Sequence, residues 1–168
     1  MSRVSIHEPE NLDSLHSSIR AELGWDADSY AIAVEALILD KDSRVLLMRR
    51  GPGARDEVGK LEGVGGRYEA GSFRSEAMRE IEEEIGAVEI EIVSLLEVKS
   101  DIVQDSNTAW IVLSFIARLI SGTPAIMEPD KVDELLWLDP QTIPVDQLSS
   151  SCQQSIASLR DYLGSRPR

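Results

Sequence analysis

The sequence predicts an α/β fold of the α+β kind, a mixed sheet with helices packed on it. Three observations carry this. Five segments are rich in β-formers, Tyr30 to Leu39, Arg44 to Arg49, Glu89 to Lys99, Thr108 to Ile120 and Glu134 to Leu138. Three segments have helical spacing or helix-forming composition, and they interrupt the strands irregularly, which fits a mixed sheet better than a regular βαβ repeat. The chain has 168 residues, 42% of them apolar, which suits one core with short appendages.

In chain order, Leu12, Leu15, Ile19 and Leu23 recur at helical spacing, with Asn11 or Asp13 able to cap, so a short N-terminal helix is expected to pack on the core or on a partner. Asp40-Lys41-Asp42-Ser43 joins the first two strands as a hairpin turn. Gly51-Pro52-Gly53 opens a polar loop running to Lys60, and Gly63-Val64-Gly65-Gly66 forms a glycine-rich step. From Phe73 to Ile85 the residues are mostly good helix formers, with Ser72 as N-cap and Gly86 as C-cap. A polar loop with Asp101, Asp105, Ser106 and Asn107 separates the next two strands, and the fifth strand ends at Asp139-Pro140. A final helix from Ser150 to Leu163 presents Ile156, Leu159 and Leu163 on one side and stops at Gly164.

The charge balance excludes some partners. Thirty acids against 17 bases leave −13, which argues against coating a nucleic-acid backbone or an anionic membrane. The most apolar run, Ala109 to Ala117, is far short of the roughly 20 residues of a membrane helix. The first ten residues carry acids and no apolar block, unlike a signal peptide. A single cysteine, Cys152, allows no intramolecular disulfide. A cytoplasmic protein is expected. The excess acid is local: Glu62 to Glu97 holds ten acids and three bases, or −7 of the −13.

On a wheel of about 100° per residue centred on Glu80, Glu76 falls near −40°, Glu83 near −60° and Glu84 near +40°. Ala77, Met78, Ile81 and Ile85 take the other side. A Glu-rich helix face is more often simply solvated. Here, however, Glu76/Glu80 and Glu80/Glu84 are like charges at i,i+4, each costing roughly 0.2–0.5 kcal/mol, and Arg79 alone does not neutralise four anions. A hard divalent cation would relieve them, and the adjacent glycines leave backbone carbonyls free to join its shell. The step is not a dinucleotide fingerprint, since a third glycine is missing, nor a P-loop, since no Gly-Lys-Ser/Thr follows.

Gly65-Gly66 followed by Arg79-Glu80-Ile81-Glu82-Glu83-Glu84-Ile85-Gly86-Ala87 resembles the signature of the Nudix hydrolases (MutT-like). Gly59 to Arg67 and Val132 to Leu138 are also similar to that family. The first half of the box departs from the pattern: Ser72 stands at the early glutamate position, and six residues, not seven, separate it from Arg79. Glu76, on the carboxylate face, is a candidate replacement.

The resemblance implies an α/β/α sandwich with a loop-helix-loop metal site, spanning residues 29–145 between an N-terminal helical extension (1–28) and a C-terminal helix (146–168). It implies Mg²⁺, with Mn²⁺ as an alternative, and hydrolysis of a nucleoside diphosphate linked to another moiety. Glu80 and Glu84 would be the main ligands, Glu83 a further ligand or the base, and the Gly66 carbonyl an additional ligand. Arg79 would orient Glu83. Glu128, in a late loop, is a second candidate base, although an exposed loop acid is as common a reading. Arg49, Arg50 and Arg67, with Arg55 and Lys60 nearby, could meet phosphates. Trp25, Tyr30, Tyr68 and Trp110 could stack on a base, but aromatics are more often core. His7 and His16 are expected to do no chemistry. The extra N-terminal helix and the frequency of dimers in the family make a homodimer the expected assembly.

Two other readings stand beside a pyrophosphohydrolase. Ser72 and the shortened spacing suit a catalytically weak nucleotide-binding or regulatory domain. An isoprenoid diphosphate isomerase would want a catalytic cysteine and suitable histidines, which Cys152 and the remote His7 and His16 do not provide.

Overall fold

The computed structural model describes residues 2–4, 8–9, 12–23, 29–103 and 108–165. The elements in order are β1 (Ser2–Val4), α1 (Leu12–Leu23), β2 (Ser29–Leu39), β3 (Val45–Arg50), β4 (Leu61–Glu62), β5 (Val64–Arg67), α2 (Phe73–Ile85), β6 (Glu89–Val103), β7 (Thr108–Ser121), β8 (Val132–Leu138) and α3 (Ser150–Gly164). A 3-10 turn at Val145–Gln147 leads into α3.

The strands form one mixed sheet ordered β1-β6-β7-β2-β3-β4, with β5 also on β2 and β8 also on β3. Only the central pair, β2 with β7, is parallel; the other pairings of named strands are antiparallel. The second edge of β2 is divided. β3 takes Ile38 and Leu39, while β5 takes Ala33 to Ala36.

Alternation along the central pair decides what each face meets. Ile32 and Val34 on β2 and Ile111, Leu113 and Phe115 on β7 pack against Leu15 and Ile19 of α1 and Phe73 and Ala77 of α2. Farther along, Ala36, Ile38 and Ala117 meet Ile81 and Ile85 of the same helix. On the opposite face Leu37, Leu39 and Ile116 pack with Cys152, Ile156 and Leu159 of α3. Helices therefore cover both faces, and the expected α/β/α sandwich is the observed fold. No helix of the described residues is long and apolar enough to cross a membrane.

Local signals place α2 as expected. Ser72 Oγ accepts from the Ser75 N–H at 3.1 Å and Ser75 Oγ accepts from the Ser72 N–H at 3.0 Å, a reciprocal capping box. Gly86 ends the helix at φ 84°. The structure adds to or departs from the sequence reading at three places. The glycine-rich step is not a loop but β5, because β2 supplies a partner register from Val34↔Gly66 to Ala36↔Val64. A short strand, β1, adds to β6 at the sheet edge. Residues 101–103 continue β6 because β7 pairs them, and of the expected polar loop Asp105, Ser106 and Asn107 lie outside the described residues. So do His7, Asn11, Trp25 and the side chain of Tyr30.

Candidate active site

The acidic face of α2 turns toward β5, and the structure divides its carboxylates into two groups. Arg79 gathers three of them: its Nη1 donates to Glu83 at 2.8 Å, and its Nη2 donates to Glu76 at 3.1 Å and to Glu80. These acids, Glu76 first, hold the guanidinium's pKa above its ordinary value. Glu76 also accepts the Glu69 N–H at 2.8 Å; burial would raise its carboxyl, but Arg79 and the backbone donors outweigh it and the net shift is downward. Glu76 is thus tied into the turn before α2. Glu83 remains 56% exposed at its side chain, where water can reach it.

Glu84 stands apart. Its Oε2 accepts the Gly65 N–H at 2.8 Å. Burial pushes its carboxyl up to about 8 despite that bond, and the nearby charges of Glu62, Glu80 and Glu128 act in the same direction. Glu80 is buried and also raised, mainly by desolvation, with Arg79 opposing. The Glu80 carboxylate lies across Gly66 so closely that a Cβ there would sit 2.5–2.6 Å from it. Only glycine allows this approach.

Among the described residues, no group of three histidine, cysteine or acidic side chains has the arrangement of a formed metal site. The chemistry of the donors nevertheless fits a hard divalent cation. Glu80 and Glu84 bring carboxylate oxygens to the same two glycines; burial does most to raise both pKa values, and neighbouring acids add a repulsion that a cation relieves.

A cavity of about 510 Å³ adjoins this step on the α3 side of the sheet. Gly65, Gly66, Arg50, Arg55, Arg67 and Trp110 are among its lining. Arg50 is already engaged, by Glu62 and by Asp56 Oδ1 at 2.7 Å. Arg55 lies over the Trp110 ring, 5.4 Å from its centroid. Arg67 is exposed at the end of β5. Arg49 is not part of the lining; its Nε donates to Glu134 at 3.0 Å and its Nη1 to the Gly59 carbonyl at 3.1 Å.

Glu128 accepts from Lys131 Nζ at 2.7 Å in the turn before β8, close enough for its charge to act on Glu84. Tyr68 packs on Phe73 with centroids 5.1 Å apart and does not line the cavity. His16 lies on α1, away from the cavity. Cys152 is fully buried in the α3 core, and burial raises its thiol well above the ordinary range, so it has neither the access nor the ionisation of a nucleophile.

The NUDIX domain family matches residues 29–158. The chain belongs to the NUDIX family. The match takes in all the strands from β2 to β8, α2 and the first half of α3. A MutT NUDIX hydrolase from Burkholderia pseudomallei is 26% identical with a TM-score of 0.66, covering 78% of this chain and 98% of that one. A UDP-X diphosphatase is 22% identical with a TM-score of 0.63, over 93% of this chain and 74% of that one. The NUDIX domain of Shewanella oneidensis NrtR, complexed with ADP ribose, is 20% identical with a TM-score of 0.61, over 84% and 92%. A comparison with curated proteins finds no match.

Sequence reasoning missed one part of this NUDIX domain. Lys99 of β6 is fully buried, and its Nζ donates to Glu35 Oε2 and to the Ser151 carbonyl and Oγ, each at 3.0 Å, and to Ser155 Oγ. Ser114 and Ser155 each donate to the same Glu35 oxygen at 2.6 Å. Burial alone would raise the Glu35 carboxyl, but Lys99 and the two hydroxyls reverse this and hold it below 4.5. A usable signal was present: Glu35 sits in an otherwise apolar strand, Ala31 to Leu39.

Proposed function

We propose that this protein hydrolyses a nucleoside diphosphate linked to another moiety, with Mg²⁺, or Mn²⁺ in its place. One observation carries the reading: the cavity with its arginines and Trp110 opens onto the two glycines that Glu80 and Glu84 overlie. The phosphates of a nucleotide lying in that cavity would reach the carboxylates while its base stayed against the sheet. Glu80, Glu84 and the Gly66 carbonyl would hold the cation, which when bound supplies charge neutralisation between the acids and the diphosphate.

Glu83 is the candidate base. It is exposed, and Arg79 fixes its direction. Glu128 is the alternative, and Lys131 would have to release it first. Arg50 and Arg67 would receive phosphate oxygens; for Arg50 this means exchanging Asp56 or Glu62 for the ligand. We place Arg49 with them only if the Gly51–Lys60 loop moves, because Glu134 and Gly59 occupy it here. The excess acid favours a small nucleotide over a nucleic acid or a membrane as partner, and a cytoplasmic homodimer is the assembly we propose.

The test is a screen of nucleoside triphosphates, ADP-ribose, sugar nucleotides and dinucleoside polyphosphates with Mg²⁺, read by product identity. Metal-dependent release of a nucleotide product supports the proposal. A second reading has its own observation. Ser72 serves as a helix cap where the family pattern has an acid, and the similar Shewanella domain holds ADP ribose. Tight nucleotide binding with no product from any substrate class would favour that binding-domain reading.

A further inference from the structure

We infer that Glu35 is a base-selecting residue: it presents Oε1 to the cavity as a fixed, ionised acceptor that favours purines carrying N–H donors on the six-membered ring. The inference rests on the nucleotide reading above and assigns part of its specificity. Glu35 lines the cavity, and its side chain keeps 10% exposure there. The hydrogen bonds from Lys99, Ser114 and Ser155 all fall on Oε2. Oε1 lies toward Gly63, where a Cβ would come within 2.9 Å of it. Glycine at 63 is therefore what lets the Glu35 side chain lie there, since a Cβ would also come within 2.9 Å of its Cγ.

The surrounding surface suits a flat ring. Ala31, Ala33 and Glu35 of β2 stand in register with Trp110, Val112 and Ser114 of β7, and alternation puts all six on the α3 face. Along β7 the face passes from an indole through an apolar side chain to the polar end, where Ser114 meets Glu35. From Trp110 to Ser114 is four residues, about 13 Å at roughly 3.3 Å per residue. A heterocycle stacked near Trp110 and lying over Ala33 and Val112 would point one edge at Glu35. A carboxylate only accepts hydrogen bonds, so a ring edge bearing N–H gains a charge-assisted bond, while an edge with lone pairs alone is repelled. Lys99 cannot serve the ligand in its place, since it is fully buried behind Glu35.

The experiment is calorimetric binding to the full chain, with Mg²⁺, of the 5′-diphosphates of guanosine, inosine, adenosine and purine riboside, the last lacking any N–H on its ring. Turnover is measured in parallel. Wild-type protein is expected to bind at least one donor-bearing purine at least about tenfold more tightly than purine riboside diphosphate. Glu35→Asp, which keeps the charge and withdraws the oxygen by one methylene, is expected to lose most of that difference while binding purine riboside diphosphate as before. Equal wild-type affinities for all four, or an equal loss for all four in Glu35→Asp, would overturn the inference. The wild-type comparison stands even if the variant does not fold. Turnover without base preference defeats this inference alone, whereas base preference without turnover defeats the hydrolase reading alone.

Discussion

Replacing Lys99 by methionine removes the cation from a carboxylate that has no other charged partner within bonding distance among the described residues. Glu35 would keep the Ser114 and Ser155 hydroxyls, and nothing would balance its charge. Breaking a buried ion pair from one side costs about 3–5 kcal/mol, and the two surviving bonds place this case near the lower end. With an urea m-value of about 1–3 kcal/mol per molar, the unfolding midpoint should fall by at least about 1 M. Glu35→Gln/Lys99→Met, which removes both charges, should recover most of the loss.

The pH dependence supplies an independent sign. In the wild type the folded pKa of Glu35 lies below 4.5, so its contribution is present above 4.5 and is lost as pH falls through the folded value. Without Lys99 burial is less opposed and the folded value moves upward, so the stability that the carboxylate adds above 4.5 is diminished. The gap between variant and wild type should therefore narrow on acidification. The assay is urea unfolding followed by circular dichroism from pH 4 to 8. A gap under about 1 kcal/mol at pH 7, or a double variant as unstable as the single, would refute the account of the buried pair.

Other outcomes are expected. Glu80→Gln and Glu84→Gln should each lower metal-dependent turnover by several orders of magnitude with an unchanged circular dichroism spectrum, and near wild-type rates in both would exclude the proposed site. Gly66→Ala should displace the Glu80 carboxylate, since the added Cβ falls 2.5–2.6 Å from it; a loss of Mg²⁺ affinity of at least about tenfold, measured by calorimetry, is expected. Ser72→Ala should cost about 1 kcal/mol in urea unfolding through the lost cap and leave turnover within about twofold, a larger loss of turnover showing that Ser72 takes part in the site. Cys152 should resist thiol reagents in the native protein and react in denaturant, and fast native labelling would contradict its burial.

Helix α2 was legible because its signals are local. Good helix formers, Ser72 at one end and Gly86 at the other lie within a few residues of what they control. The grouping of its acids was legible only in part. A wheel places Glu76, Glu80, Glu83 and Glu84 together, but the helix alone does not show that Glu84 would bond the Gly65 N–H and escape Arg79. That distinction depends on where β5 lies. The arginines show the same division: the sequence marks Arg49, Arg50 and Arg67 alike, and alternation along β3 turns one of the first two toward Glu134 and the other toward the cavity.

The sequence alone determined the fold class, the ends of α2 and the types of residue that face one another across the glycine step, because helix propensity, capping and strand composition act over short spans. Only the tertiary structure decided that the glycine step is a strand and that Lys99 is buried against Glu35. Both depend on partners far along the chain: β2 for the glycines, and α3 for Lys99, whose helix excludes water from one face of the sheet. In Glu97-Val98-Lys99 the alternation reads as a half-solvated strand. Whether the charged face meets water or a helix is fixed by packing across more than fifty residues of sequence, where composition carries no signal.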